Sequence, residues 1–363
     1  MKRKATITDV AKAAGVSKGL VSFALNDRPG VSPETRDRIL GVARDLDYRP
    51  SVSARSLSTS TSYAVGLVIA RDPEIISADP FFPSFIAGVE RVLLTEGRTL
   101  VLSVVGDDDH EATVYRTLAA GQRVDGVFLT DLRRDDPRIP MLQELGLPAV
   151  TLGHPGTGQM GTGGPGAGDP GTGQPGAGEA NPFPSVSLDD TPGTVAAVRH
   201  LLDLGHRRIA HVIGPHAMLH ASRRRAAFEA TLRDAGLEPD PALVVETDFT
   251  AAQGAAATTA LLERADPPTA IVFGNDPMAI AGLGVAHERG LTVPGDLSIT
   301  GFDDSELARY VYPSLTSVRT DPLRWGEAAA RTLLRLVADG HAADVDLDPA
   351  HLVVRTSTGP VRA

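Results

Sequence analysis

Short apolar runs alternate along most of this chain with stretches of helical periodicity, and that alternation restricts the fold more than any other feature. AVGLVIA (64–70), TLVLSVV (99–105), VDGVFLT (124–130), PAVTL (148–152), RIAHVIG (208–214), TAIVFG (269–274) and LSITGF (297–302) are each bounded by turn residues. Helical stretches such as SFIAGVERVLLTEG and TVAAVRHLLDLG lie between them. Apolar character that is continuous, not alternating, fits strands buried on both faces, and the intervening helices fit the crossovers of a parallel sheet. The number of such units predicts two sheets instead of one.

The first 50 residues follow a different pattern, three short helices. Thr6 or Thr8 can cap a first helix that runs through Ala14 and buries Ile7, Val10, Ala11 and Ala14. Gly15 breaks it, and Ser17 caps a second helix, Lys18–Leu25, with Val21, Ala24 and Leu25 inward. Ser32-Pro33-Glu34 opens a third, with Ile39, Val42 and Leu46 on its inner face. A helix, a Gly-containing turn and a second helix of this length read as a helix-turn-helix. The expected organisation is therefore a helix-turn-helix domain over 1–50, a polar linker SVSARSLSTSTS over 51–62, and an α/β body over 63–363. Residues 153–185 interrupt the body with a Gly/Pro-rich stretch and a near-repeat, GTGGPGAGDP then GTGQPGAGEA. With almost nothing to bury, that stretch is expected to be a disordered surface loop.

Charge divides along the same boundary. The protein carries a net −10, yet residues 1–63 hold eleven Lys/Arg against six Asp/Glu, and all four lysines fall in the first 18 positions. A small basic unit joined to an acidic one suits a segment that meets phosphate. No apolar run approaches the roughly 20 residues that span a bilayer. MKRKATITDV lacks the apolar stretch of a secretory signal, so a cytoplasmic location is expected, with no membrane partner. The chain has no cysteine, which excludes disulfides and thiolate metal sites. Enzymatic motifs are missing: there is no nucleophile elbow, P-loop or HExxH. His216 and His220 are spaced to share a helix face, but no carboxylate partner lies nearby in sequence. Neither a metal nor a cofactor is expected, and an enzyme is disfavoured.

The first 60 residues, TITDVAKAAGVSKGLVSFALNDRPGVSPETRDRILGVARDLDYRPSVSARSL, resemble the DNA-binding end of the LacI/GalR family of bacterial repressors. The resemblance continues through LGHRRIAHVIGP, VFGNDPMAIAGL, LSITGFDDSELA and PSLTSVRTD. It implies a helix-turn-helix reader joined to a two-lobed body of periplasmic-binding-protein-like fold with parallel sheets. It implies major-groove reading by the start of the second helix, which here presents Ser17, Lys18, Gly19, Ser22 and Phe23, with Thr8 and Asn26 beside it. Phe23 replaces a residue that is usually polar. Its ring either touches a thymine methyl or packs into the small domain. Lys18 contacts either bases or phosphates. Ala54, Arg55, Ser56 and Leu57 match a hinge helix that orders on the operator, with Leu57 wedged into the minor groove.

For the body, ligands of open α/β sheets sit beyond the carboxyl ends of strands. Asp79, Phe81 and Phe82 follow the first strand there. Ser222 and Arg224, or its neighbours Arg223 and Arg225, follow RIAHVIG; Asn275 follows TAIVFG and Asp303 follows LSITGF. Phe249, in TDFT, matches an aromatic pocket wall of relatives. Planar Asp, Asn and Arg groups suit vicinal hydroxyls, and a Phe face suits the apolar side of a sugar ring. Asp276 and Asp304 read more simply as helix N-caps. The resemblance thus implies an operator-binding regulator, a repressor controlled by a small metabolite. That effector is expected to be a sugar, with a purine-type corepressor as the alternative. The chains would assemble as a homodimer or a tetramer on a pseudo-palindromic DNA operator, pairing chiefly through the lobe that contains PFFPSFIAGVERVL. A solute-binding protein without DNA function shares the body fold but not the helix-turn-helix.

Overall fold

The computed structural model describes residues 5–48, 61–155 and 181–362. Ala54, Arg55, Ser56 and Leu57 of the expected hinge helix, and most of the Gly/Pro-rich stretch, lie outside the described residues. The chain divides into two compact units, Met1–Tyr63 and Ala64–Ala363.

Local chemistry sets the first unit. Helix α1 (Ile7–Ala14) starts at Thr6: the Asp9 amide donates to its hydroxyl at 3.4 Å, while the Thr6 amide donates back to the Asp9 carboxylate at 2.9 Å. Thr6 is thus the cap, and Thr8 is an exposed residue of the first turn. Ser17 caps α2 (Lys18–Leu25) through the Leu20 amide at 3.2 Å, and Ser32 caps α3 (Pro33–Asp45), whose first residue is proline. Val10, Ala11, Ala14, Val21, Ala24, Ile39 and Ala43 make the core. Leu46 is exposed, against expectation: α3 ends at Asp45, so its side chain falls beyond the helical face that packs.

The second unit contains two six-stranded sheets. Sheet I has the order β11-β5-β4-β3-β1-β2, comprising β1 (Ala64–Ala70), β2 (Thr99–Val105), β3 (Val127–Leu129), β4 (Ala149–Leu152), β5 (Ser185–Leu188) and β11 (Val345–Leu347). Sheet II has the order β12-β10-β9-β8-β6-β7, comprising β6 (Ile209–Ile213), β7 (Val244–Glu246), β8 (Ala270–Phe273), β9 (Ser298–Asp303), β10 (Thr316–Arg319) and β12 (His351–Val353). Every pairing is parallel except β12 against β10. The continuous apolar runs of the inner strands are buried on both faces, as in β1, where Val65, Leu67 and Ile69 join one layer of packing and Ala64 and Val68 the other; the edge strand β2 instead leaves Leu102 and Val104 exposed.

The chain passes between the lobes three times, after β5, after β10 and between β11 and β12. In sheet I, helices α4 (Pro73–Ala78) and α5 (Phe81–Thr95) follow β1, α6 (Asp108–Ala120) follows β2, and α7 (Arg138–Glu144) follows β3. Helices α8 (Thr191–Asp203), α9 (Leu219–Asp234), α10 (Ala251–Leu262) and α11 (Asp276–Glu288) belong to the β6–β9 lobe. Helix α12 (Pro322–Asp339) returns to sheet I and lies against α5. Phe82, Phe85, Val89 and Leu93 of the PFFPSFIAGVERVL segment are therefore buried within one chain against Ala329, Ala330 and Leu333. Its neighbour Leu94 faces outward, 79% exposed.

Two acidic residues expected as caps do something else. Asn275, not Asp276, caps α11, through the Met278 amide at 3.0 Å. The fully buried Asp276 carboxylate accepts from the Ser305 amide (2.7 Å) and the Ser317 hydroxyl (2.6 Å), fastening the end of β9 to β10. Asp304 is paired with Arg319 and Arg355.

Candidate functional site

On the first unit, α2 turns Val21 and Ala24 inward and presents Lys18, Gly19 and Phe23 outward, with Ser22 half-buried beside them. These positions are spaced i, i+1, i+4, i+5, one continuous helical face. Phe23 is 40% exposed and stands outside the core cluster; the Arg28 guanidinium lies 5.9 Å from its ring centroid. Packing into the small domain is thus not its role. Ser17 spends its hydroxyl on the cap, and the Asn26 amide donates to the Ser22 carbonyl at 3.0 Å, closing α2.

In the second unit a cleft opens between the lobes at the carboxyl ends of both sheets. Arg71, just past β1, is its centre. Its guanidinium meets the Asp131 carboxylate in two parallel bonds of 2.6 and 2.7 Å and reaches Asp79 at 3.3 Å. It lies 5.5 Å from the ring centroids of both Phe82 and Phe249. Burial pushes the Asp131 carboxyl up, but Arg71 outweighs it and holds the group below its usual range. At Asp79 burial wins over Arg71, and the carboxyl is raised.

Across the cleft, Arg224 donates from Nε to Asp190 at 2.6 Å and from Nη1 to the Gly274 carbonyl at 3.0 Å, with its guanidinium carbon 3.5 Å from the Phe302 centroid. Arg223 also lines the cleft, and its buried Nε has no hydrogen-bond partner among the described residues. Arg225 points outward to Glu229. His220 stacks on Phe249 with centroids 5.6 Å apart. Burial, seconded by Arg224, drives its pKa down to about 3, so the ring is neutral. Asp303 ends β9 at φ 108° and forms no ion pair among the described residues. Burial, then the Asp276 and Asp79 carboxylates, raise it well above the usual carboxylate range.

Phe249 needs a special backbone: its φ is 70°, and its ring lies where a Cβ on Gly214 would come within 1.9 Å. The Asn275 amide holds it by donating to its carbonyl at 2.9 Å. Of the residues expected in a ligand site, Asp79, Phe81, Arg224, Phe249, Asn275 and Asp303 line the cleft. Asn275 does so with its side chain already committed to the cap and to Phe249. Phe82 is 1% exposed, one helical step from Phe81, and belongs to the core. Ser222 donates to the His216 carbonyl at 2.5 Å and does not line the cleft. His216 pairs with Glu246 at the surface, away from His220. No cluster of three metal-ligating side chains occurs among the described residues.

Sequence reasoning missed Arg71, Asp131, Asp190, His220 and Trp325. The strand-end rule could have found three of them, since Arg71, Asp131 and Asp190 all follow strand carboxyl ends. The lobes also meet beside the cleft. Leu219, the first residue of α9, is buried and belongs to the same apolar cluster as Leu129 and Leu132 of the opposite lobe. Its amide donates to the Leu132 carbonyl at 2.8 Å.

A helix-turn-helix unit, together with a two-lobed unit whose cleft holds polar groups between aromatic faces, defines the class of effector-responsive DNA-binding regulators. Comparison with known proteins agrees. The model described as bacterial regulatory proteins, lacI family, matches residues 6–51, and that of a periplasmic binding protein-like domain matches residues 198–358. The HTH-type transcriptional regulator CelR of Thermobifida fusca is 34% identical over 98% of this chain and 99% of its own. A solved CelR–cellobiose complex covers 97% of this chain and 99% of that one, with a TM-score of 0.70 at 33% identity. A lac repressor dimer bound to operator and the anti-inducer ONPF covers 98% and 100%, with a TM-score of 0.79 at 26% identity. The chain belongs to the LacI family of bacterial regulatory proteins and is a DNA-binding transcription regulator. No described helix is long and apolar enough to cross a membrane.

Proposed function

We propose that the protein is a repressor whose hold on a pseudo-palindromic operator is controlled by a neutral sugar in the cleft, and that it acts as a homodimer in the cytoplasm, where its operator is. The observation that carries the effector class is the internal pairing of the cleft charges. Arg71 is matched by Asp131 and Asp79, and Arg224 by Asp190; Arg223 and Asp303 line the cleft without an ion pair among the described residues, but three guanidinia face four carboxyl groups, so no large net charge awaits an ionic ligand. Phe81, Phe249, Phe302 and Trp325 supply flat apolar faces, and the paired carboxylates and guanidinia keep free lone pairs and N–H groups for hydroxyls. The cellobiose complex of CelR supports the same class.

Pairing of two copies is supported by apolar side chains left outward on both lobes: Leu94, Leu102 and Val104 on one, Leu307, Tyr310 and the 97% exposed Tyr312 on the other. That distribution favours an interface along the length of the body over one confined to the β1–β5 lobe. Leu57 is assigned the minor-groove wedge by family resemblance. Its replacement by Ala should weaken specific operator binding while non-specific binding persists.

The test of the effector site is a thermal-shift screen against cellobiose, other neutral mono- and disaccharides, and nucleobases. A sugar should raise the melting temperature of the wild type, and Arg224→Ala should abolish the shift. A shift by nucleobases alone, or an undiminished shift in Arg224→Ala, overturns the assignment.

A further inference from the structure

We infer that Phe23 selects a thymine methyl group in each operator half-site, an inference that rests on the DNA-binding function of this unit. In a helix-turn-helix the second helix enters the major groove with its first residues toward base edges. Here that helix is α2, and its outward face carries Lys18, Gly19, Ser22 and Phe23. Helical side chains lean toward the N-terminus, so a residue covers the turn before its own Cα. The turn before Phe23 contains Gly19, whose missing side chain leaves open space: a Cβ there would meet only the Ser17 hydroxyl, at 3.8 Å. The exposed phenyl ring and the bare Gly19, four residues apart, share this face with the exposed Lys18 and the half-buried Ser22, and the Arg28 guanidinium lies 5.9 Å from the ring centroid.

A phenyl ring has no hydrogen bond to offer. Against the donors and acceptors of guanine, cytosine or adenine it would strip water without replacing it, which costs free energy. The one apolar feature that an unmodified base pair shows in the major groove is the thymine C5-methyl. Burying that methyl against the ring is the favourable pairing, and the exposed Lys18 on the same face suits a neighbouring phosphate.

The test uses the full-length protein and an operator selected from random duplex DNA. Each thymine of the half-site is replaced in turn by deoxyuridine, which removes the methyl and nothing else, and binding is followed by fluorescence anisotropy at fixed salt. One replacement per half-site should weaken wild-type binding about fourfold, the scale of one buried methyl group. The same replacement should leave Phe23→Ala unaffected. At that position 5-methylcytosine should bind the wild type better than cytosine, whereas Phe23→Ala should treat them alike. Phe23 is outside the core, so the variant's melting profile verifies that it is folded. Equal uracil effects in wild type and Phe23→Ala, or unchanged operator selection by the variant, overturn the inference while leaving operator binding intact. Failure of the wild type to select any sequence overturns the regulator function and the inference together.

Discussion

The two units of this protein keep their functional side chains in opposite environments. In the helix-turn-helix unit Lys18, Gly19 and Phe23 stand on the surface of a short helix, and the core beneath them is built from other residues. In the α/β unit, Arg71 is bonded to Asp131 on one side of the cleft and Arg224 to Asp190 on the other, with Arg71 and Asp190 buried and their partners half-buried. Recognition and stability are separable in the first unit and coupled in the second. A buried guanidinium left without its carboxylate is an uncompensated charge in low dielectric, so changing the reading chemistry of the body also changes its fold energy.

The sharpest contrast should come from Asp131→Ala. It leaves Arg71 buried with only the more distant Asp79, and the body should lose about 3–5 kcal/mol of stability together with effector binding. Chemical denaturation monitored at the single tryptophan measures it; a loss below 1 kcal/mol would break the coupling drawn here. Leu219→Ala comes next. Truncating a buried leucine at the junction of the lobes should cost about 2–4 kcal/mol, and the radius of gyration of the body should increase as the lobes part. An unchanged scattering profile would show that the Leu219 contact does not hold the lobes together.

A third, smaller effect concerns pH. His211 is buried in sheet II, donates from Nδ1 to the Val272 carbonyl at 2.9 Å, and has its pKa lowered from the ordinary 6.5 to about 4, mainly by burial. Between these values the unfolded chain binds a proton that the folded chain refuses, so stability rises with pH across this window and is lost as pH falls from 6.5 towards 4. The contribution approaches about 1.4 kcal/mol per pH unit within the window. His211→Phe should flatten the acid limb of a stability–pH curve by about one proton, and equal slopes would remove His211 from the acid response. The smallest effect is expected on the exposed side: Phe23→Ala should change the stability of its own unit by less than about 0.5 kcal/mol while changing sequence preference. A large destabilisation would erase the contrast between the units.

The same contrast explains what could be read from sequence. Caps at Thr6, Ser17 and Ser32 depend on neighbours three residues away, so the head helices were legible almost to their boundaries. The long apolar strands of the body were legible because their runs are almost free of polar residues, as burial on both faces requires of the inner strands; the edge strand β2 keeps the run although Leu102 and Val104 are exposed. Strands β5, β7, β10, β11 and β12 escaped because they are three or four residues long and contain Glu, Ser, Thr, Asp or His. In the cleft, strand ends pointed to Asp79, Arg224 and Asp303. Partnerships such as Arg71–Asp131, 60 residues apart, leave no local trace. Position along a helix also misled: one residue, a turn of about 100°, separates Phe81 at the cleft from Phe82 in the core. Two residues likewise separate His220 from Ser222.

What joins the two units functionally is the transfer of cleft occupancy to the grip on DNA, and one titration addresses it directly. Operator affinity of the full-length protein is measured at fixed salt with and without the sugar found in the thermal-shift screen, in wild type and in Arg224→Ala. Wild-type affinity should fall by roughly 5–150-fold at saturating sugar, a coupling of about 1–3 kcal/mol, and that of Arg224→Ala should stay constant. Operator affinity that is the same with the cleft filled and empty would contradict the regulatory link.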